Sequence, residues 1–228
     1  MVERLVKVVD PVSHHPLPDE IPPPLDQGKV FSFAFGDIQL SDGRRVLLFS
    51  SDAHLKILAR AGQILQDATF RITPSLWTQT FIINASVTSS TFIPTVIALL
   101  PDKKRDTYDA MFGSLKENLE ARGLELSARY MMSDFELAIR DSFISHFPDV
   151  EAKGCAFHFC QAIMKKIAKN GFKGQYSDPK CAAFRGFIRG MMGIVNVPPL
   201  RLKEAIRNLY IMADKLTGRQ RSFSISLI

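Results

Sequence analysis

Apolar positions change their spacing along the chain. From residue 30 to residue 100 they form short runs broken by turn residues, the mark of strands. Two runs, residues 30–40 and 45–49, flank Ser41-Asp42-Gly43. Asp-Gly tolerates positive φ, so this stretch predicts a hairpin. A short helix is predicted over residues 52–61, with Asp52 as its cap and Leu55, Leu58 and Ala59 facing inward. Strands follow over residues 63–72, 80–87 and 93–100, separated by Thr73-Pro74-Ser75 and Thr88-Ser89-Ser90. The period then becomes helical: Tyr108, Met111, Phe112, Leu115 and Leu119 share one face of a helix over residues 104–122, ended by Gly123. A fourth strand (126–133), a helix (135–147) stopped by Pro148, a fifth strand (150–155) and a helix (157–170) ending at Gly171 complete the pattern. Three sequential strands, then two more each reached through a helix, predict a mixed α/β sheet flanked by helices. The remainder is helical, with Phe184, Phe187, Ile188 and Met191, then Leu202, Ala205, Ile206 and Leu209, on apolar faces. No internal repeat and no Gly-rich phosphate loop is present.

Length and composition narrow the classes. The 228 residues suit one medium-sized domain or a core with one insertion. With 46% hydrophobic and 23% charged residues, most of the chain is expected to fold. Residues 10–26 hold six of the thirteen prolines, which predicts an extended linker. The apolar stretch around Phe92–Leu100 contains Pro94 and Thr95 and falls short of the roughly 20 residues that span a bilayer, so no membrane association is expected. The start lacks an apolar core followed by a cleavage site, and Cys155, Cys160 and Cys181 are too few for a disulfide framework. An intracellular, reducing compartment is expected. Charge is unevenly divided: from residue 161 onward thirteen lysines and arginines face three acidic residues, a net of +10, whereas the first 160 residues are net −4. A basic half suits a polyanion partner or a solvated helical surface.

Two aspartates stand where chemistry could lie. Asp67 sits inside the strand Ile64-Leu-Gln-Asp-Ala-Thr-Phe70, where a charge is costly unless paired, metal-bound or at a wet edge. Its structural alternative is a polar strand end bonded to Thr69. Asp134, in Tyr130-Met-Met-Ser-Asp-Phe-Glu136, lies where the fourth strand ends before a helix, and its structural alternative is a helix N-cap. If these strands are neighbours, the carboxylates face each other at one sheet edge and can hold a divalent cation such as Mg²⁺. Cys155 and His158, in Gly154-Cys-Ala-Phe-His158, lie three apart at a strand-to-helix junction. Two ligands are half of a tetrahedral zinc site, and His14, His15, His54 and Cys181 are further donors in principle only. The structural alternative is a buried thiol with a histidine that orients the helix.

Asp67-Ala-Thr-Phe70, residues 103–108, Ser133-Asp-Phe-Glu136 and Gly154-Cys-Ala-Phe-His158 follow in this order. Together they resemble the MULE (Mutator-like element) transposase domain of the DDE superfamily, over roughly residues 45–212. The resemblance implies an RNase H-like fold, with Asp67 and Asp134 as the first two catalytic and metal-binding carboxylates and Cys155 and His158 as the C-x-x-H signature. It implies DNA transposition by strand cleavage and transfer with two Mg²⁺ or Mn²⁺ ions, one activating the attacking oxygen and the other stabilising the leaving one. It also implies a nuclear location and a partner that is DNA, with a homo-oligomer as a further expectation. The basic stretch from Gly171 resembles the family's all-α insertion.

The expected division is a Pro-rich segment (1–28), a hairpin and short helix (29–62), an RNase H-like core (63–170) and a basic helical insertion (171–228) that looks incomplete. The family's third acidic residue, a glutamate beyond the insertion, has no counterpart, since Glu204 falls within the insertion. The chain is therefore expected to be inactive alone. The alternatives are a transposase-derived module that binds DNA or protein without catalysis, and a decayed fragment. Lys165, Lys166, Lys169 and Lys173 are the expected DNA contacts.

Overall fold

The computed structural model describes residues 34–228, so the Pro-rich segment, with His14 and His15, lies outside the described residues. The chain divides into two compact units, one ending at Gly154 and the other running Cys155–Ile228.

The first unit is built on a seven-stranded mixed sheet, the mixed α/β architecture expected of an RNase H-like core. The strands are β1 (Ala34–Gln39), β2 (Arg45–Phe49), β3 (Gln63–Thr69), β4 (Gln79–Ser86), β5 (Phe92–Leu100), β6 (Tyr130–Ser133) and β7 (Glu151–Gly154), in the order β1-β2-β5-β4-β3-β6-β7. The pairs from β1 to β3 are antiparallel, while β6 lies parallel to both β3 and β7. The crossovers to the parallel strands carry α2 (Arg105–Glu120) and α3 (Leu137–His146), and α1 (Asp52–Arg60) joins β2 to β3. Gly43, at φ +85°, makes the β1–β2 turn that its Asp-Gly dipeptide predicts.

Local chemistry sets the helix ends. Ser51, not Asp52, caps α1: its hydroxyl accepts the His54 N–H at 3.3 Å, while Asp52 occupies the first turn and pairs with Arg122. Gly123 adopts φ +64° after α2, and the Leu124 N–H returns to the Leu119 carbonyl, as in a left-handed C-terminal cap. The strand expected from residue 126 is shorter than its apolar run suggests. Ser127 and Arg129 donate instead to the carbonyls of Ala59 and Gly62, so that regular pairing starts at Tyr130.

One face of the sheet forms the core. Ile64, Phe81, Ile83, Ala85, Val96, Ala98, Met131, Val46 and Leu48 meet Leu55 and Leu58 of α1, Tyr108, Met111, Phe112, Leu115 and Leu119 of α2, and Ile139 and Phe143 of α3. The α2 residues are those the helical period predicts, all buried. Phe112 packs edge-on against Phe81 and Phe143, with centroids 6.2 and 5.3 Å apart, an arrangement the ring quadrupoles favour. At the rim, Arg44 gathers Asp42, Asp102 and Asp106. Its guanidinium holds the Asp106 carboxyl below the usual aspartate value. Partial burial pushes Asp102 upward, but hydrogen bonds from Thr107, the Lys104 N–H and Arg44 leave it lowered on balance.

The second unit packs α4 (Ala156–Lys169), α5 (Lys173–Ser177), α6 (Ala182–Gly193), α7 (Leu202–Asp214) and α8 (Gly218–Ile225) around its own core. Ile163, Ile167, Phe172, Phe184, Phe187, Ile188, Leu209, Ala213 and Phe223 fill it. The helix that carries His158 thus belongs to this unit, together with the basic stretch from Gly171. No helix among the described residues is long and apolar enough to cross a membrane.

Gln66 breaks the core's chemistry. It is 3% exposed on the face of β3 shared with Ile64, and neither polar atom of its amide has a hydrogen-bond partner among the described residues. An orphaned buried amide costs about 1–3 kcal/mol. Gln66→Met, of similar volume, is expected to stabilise the protein by about 1–2 kcal/mol in urea denaturation. A loss of stability would show instead that the amide is satisfied by bound water.

Candidate active site

The register between β3 and β6 places the two candidate aspartates. Gln63 pairs with Tyr130, Ile64 with Met131 and Leu65 with Met132. Two residues beyond the last of these pairs lie Asp67 on β3 and Asp134 just past β6. Strand alternation assigns Asp67 to the sheet face of Leu65, opposite the buried Ile64 and Gln66. Both aspartates lie toward the carboxyl end of parallel strands, where open α/β sheets place their binding crevices. The condition set by the sequence, that these two strands be neighbours, is met.

The carboxylates differ in setting. Asp67 is exposed, its strand continues against β4 opposite Ile82, and its Oδ1 accepts the Ala68 N–H at 2.8 Å. Asp134 is half-buried and its Oδ1 accepts the Glu136 N–H at 3.1 Å. This is an Asx turn, since α3 starts only at Leu137 and Glu136 occupies its N-cap position. The helix-capping alternative for Asp134 is thereby corrected: the bond it accepts lies outside the helix.

Glu136 ties this turn to the core. Its Oε1 accepts from the Tyr108 hydroxyl at 2.9 Å and its Oε2 lies 3.3 Å from Lys103 Nζ. Tyr108 is fully buried, and its hydroxyl also accepts from Gln79 Nε2 at 2.7 Å. Burial pushes the Tyr108 phenol far above its usual pKa. The Gln79 bond opposes this, while the Glu136 carboxylate and the Asp134 charge add to it. Apolar side chains flank the acids: Phe70 is 54% exposed, with Lys103 Nζ 4.6 Å from its ring centroid, and Phe135 is 58% exposed. Phe135 lies over Gly154, where a Cβ would sit 2.5 Å from the ring.

The donors suit a hard cation. Two carboxylates offer oxygen ligands of the kind Mg²⁺ and Mn²⁺ take. Among the described residues no group of three or more His, Cys, Asp and Glu side chains is placed to hold a metal ion, so these two stand without a third protein ligand.

In the second unit, Cys155 is the N-cap residue of α4 and His158 lies in its first turn, half-buried and edge-on to Phe157. The three cysteines are free thiols, and no four-ligand zinc set forms among the described residues. Lys165, Lys166 and Lys169 project from α4 and Lys173 from the start of α5, all exposed. The Lys166 ammonium donates to the Ser226 carbonyl at 3.1 Å. Glu204 pairs with Arg201 on the exposed side of α7.

Residues 63–162 match the family model of the MULE transposase domain. This segment is similar to the MULE transposase domain. The match begins at the first residue of β3 and ends within α4, so it holds Asp67, Asp134, Cys155 and His158 and is narrower than the resemblance seen in the sequence. No curated protein matches the chain. Within the matched segment, sequence motifs mark the aspartates but not the contacts of Lys103, Tyr108 and Glu136. The only trace was their presence in the motif segments. Gln79, on an apolar strand, carried no signal.

The glycine at the end of β7 is expected to matter for this rim. Gly154→Ala should displace the Phe135 ring, seen as a change in its aromatic NMR shifts. Because that ring is largely exposed and can swing away, stability should change by less than about 1 kcal/mol. Unaltered Phe135 shifts would contradict the packing of the ring on Gly154.

Proposed function

We propose that this chain supplies the first part of a DNA strand-cleavage and transfer site, with Asp67 and Asp134 as the ligands of a divalent cation. The observation that carries the reading is the β3–β6 register, which aligns these two carboxylates inside the segment that matches the MULE transposase domain. A bound Mg²⁺ or Mn²⁺ would supply Lewis-acid stabilisation of charge on phosphate oxygens. The protein's share is to hold two anionic oxygens at the end of a rigid sheet, Asp134 by the Asx turn and Asp67 by the β3–β4 ladder. In-line phosphoryl displacement asks for two ions held in fixed positions. With two carboxylates the chain is expected to bind a cation but not to cleave DNA alone.

Cleavage of a labelled duplex with Mg²⁺ or Mn²⁺ tests this, and the 228-residue chain should give no metal-dependent product. Turnover abolished by Asp134→Asn would contradict the two-carboxylate account. Where a longer protein is active, Asp67→Asn should lower its rate by at least about a thousandfold, roughly 4 kcal/mol on the barrier.

DNA binding is assigned to the second unit, whose exposed lysines on α4 and α5 lie in the stretch from residue 161 onward, which has net charge +10. If about five cations reach phosphates, log K should fall against log salt with a slope of about −4 to −5, with little sequence preference. Lys166 is engaged with Ser226, so the informative set is Lys165, Lys169 and Lys173. Changing these three to Gln should make the slope shallower by up to about three. Unchanged affinity in a folded variant would favour a module that binds protein rather than DNA.

A further inference from the structure

The bonds behind Asp134 form a continuous path into the core. Gln79, fully buried on β4, donates from Nε2 both to the Asp102 carbonyl at 3.2 Å and to the Tyr108 hydroxyl at 2.7 Å. The Asp102 carbonyl accepts only, which fixes the amide with its nitrogen toward Tyr108. The Tyr108 hydroxyl therefore accepts from Gln79, and its own proton goes to Glu136 Oε1 at 2.9 Å. The other oxygen of Glu136 faces Lys103 Nζ at 3.3 Å. With its carboxylate held on both oxygens, Glu136 presents its backbone N–H to Asp134 Oδ1 at 3.1 Å. The same Lys103 ammonium lies 4.6 Å over Phe70, three residues beyond Asp67. One cation thus touches both chain ends that leave the acidic strands.

We propose that Tyr108 and Lys103 are positioning residues, acting through Glu136 to fix the Asp134 carboxylate and to tie the segment after β3 to the segment after β6. The inference rests on the reading of Asp134 as a cation ligand, and it names what aims that ligand. Groups behind a metal ligand commonly change metal affinity by 10–100-fold when removed. Tyr108→Phe isolates the effect, because it removes one hydroxyl, keeps the buried ring and leaves the net charge unchanged.

The experiment uses the full chain, with amide hydrogen exchange read by NMR and Mn²⁺ affinity by calorimetry. In Tyr108→Phe and Glu136→Ala, exchange of the residue 136 N–H is expected to quicken by about tenfold relative to Ile83 in the core, and Mn²⁺ affinity to fall by about tenfold. Glu136→Gln keeps an acceptor for Tyr108 but turns an NH2 donor toward Lys103, so it should fall between the parent and Glu136→Ala in both measurements. Residue 136 and Ile83 exchanging faster in equal proportion would overturn the proposal, since that is general destabilisation. Glu136→Gln behaving like Glu136→Ala would overturn it as well. If Tyr108→Phe does not fold, the two Glu136 variants decide alone. A parent chain that binds no Mn²⁺, or binds it equally after Asp134→Asn, would defeat the cation reading, while the exchange rates still decide the positioning claim.

Discussion

Parallel pairing of β3 with β6 is the constraint on which the candidate site depends. Its register sets Asp67 and Asp134 at one level of the sheet. A slip of one residue would turn the β6 side chains over, sending Asp134 toward the core face and Met131 out of it. The hydrophobic pattern forbids that slip, because Ile64 and Met131 are both buried in the same core. Packing on one face thereby enforces alignment of charge at the other. The crossover through α2 makes parallel pairing attainable, and the buried face of α2, from Tyr108 to Leu119, docks it on the sheet.

Much of this was legible in the sequence because it rests on periodicity. The apolar face of α2, the Asp-Gly hairpin and the succession of strands and helices along the chain follow from spacing and turn chemistry, whereas the neighbouring of the strands that carry Asp67 and Asp134 stood in the sequence as a condition, which the β3–β6 pairing meets. What stayed hidden depends on partners distant in the chain. Ser51 displaced Asp52 as a cap because only one residue can take the extended backbone of that position. The strand before Asp134 starts late because Ser127 and Arg129 find carbonyls at the end of α1 and just beyond it. Gln79 reaches Tyr108 across 29 positions, and Tyr108 reaches Glu136 across 28. No local pattern encodes such bonds.

The division of the chain explains a further difference. The helix with His158 has the spacing of a core helix, yet its buried residues Ile163 and Ile167 belong to the cluster of Phe172, Phe184 and Phe223. Composition changes at nearly the same place, from a net acidic first part to a strongly basic remainder. Under the proposed function, cation binding and DNA attraction fall to different units, with the signature residues Cys155 and His158 at the start of the second.

The most direct test of the convergence of Asp67 and Asp134 is a Mn²⁺ titration of the isotope-labelled chain followed by amide NMR. Paramagnetic broadening falls off steeply with distance, so it reports which residues surround the ion. Selective loss of the amides of residues 66–69 together with 133–136 at low Mn²⁺, with both sets spared in Asp67→Asn, is the result the account predicts. Broadening confined to one of the two segments, or centred elsewhere in the protein, would contradict it.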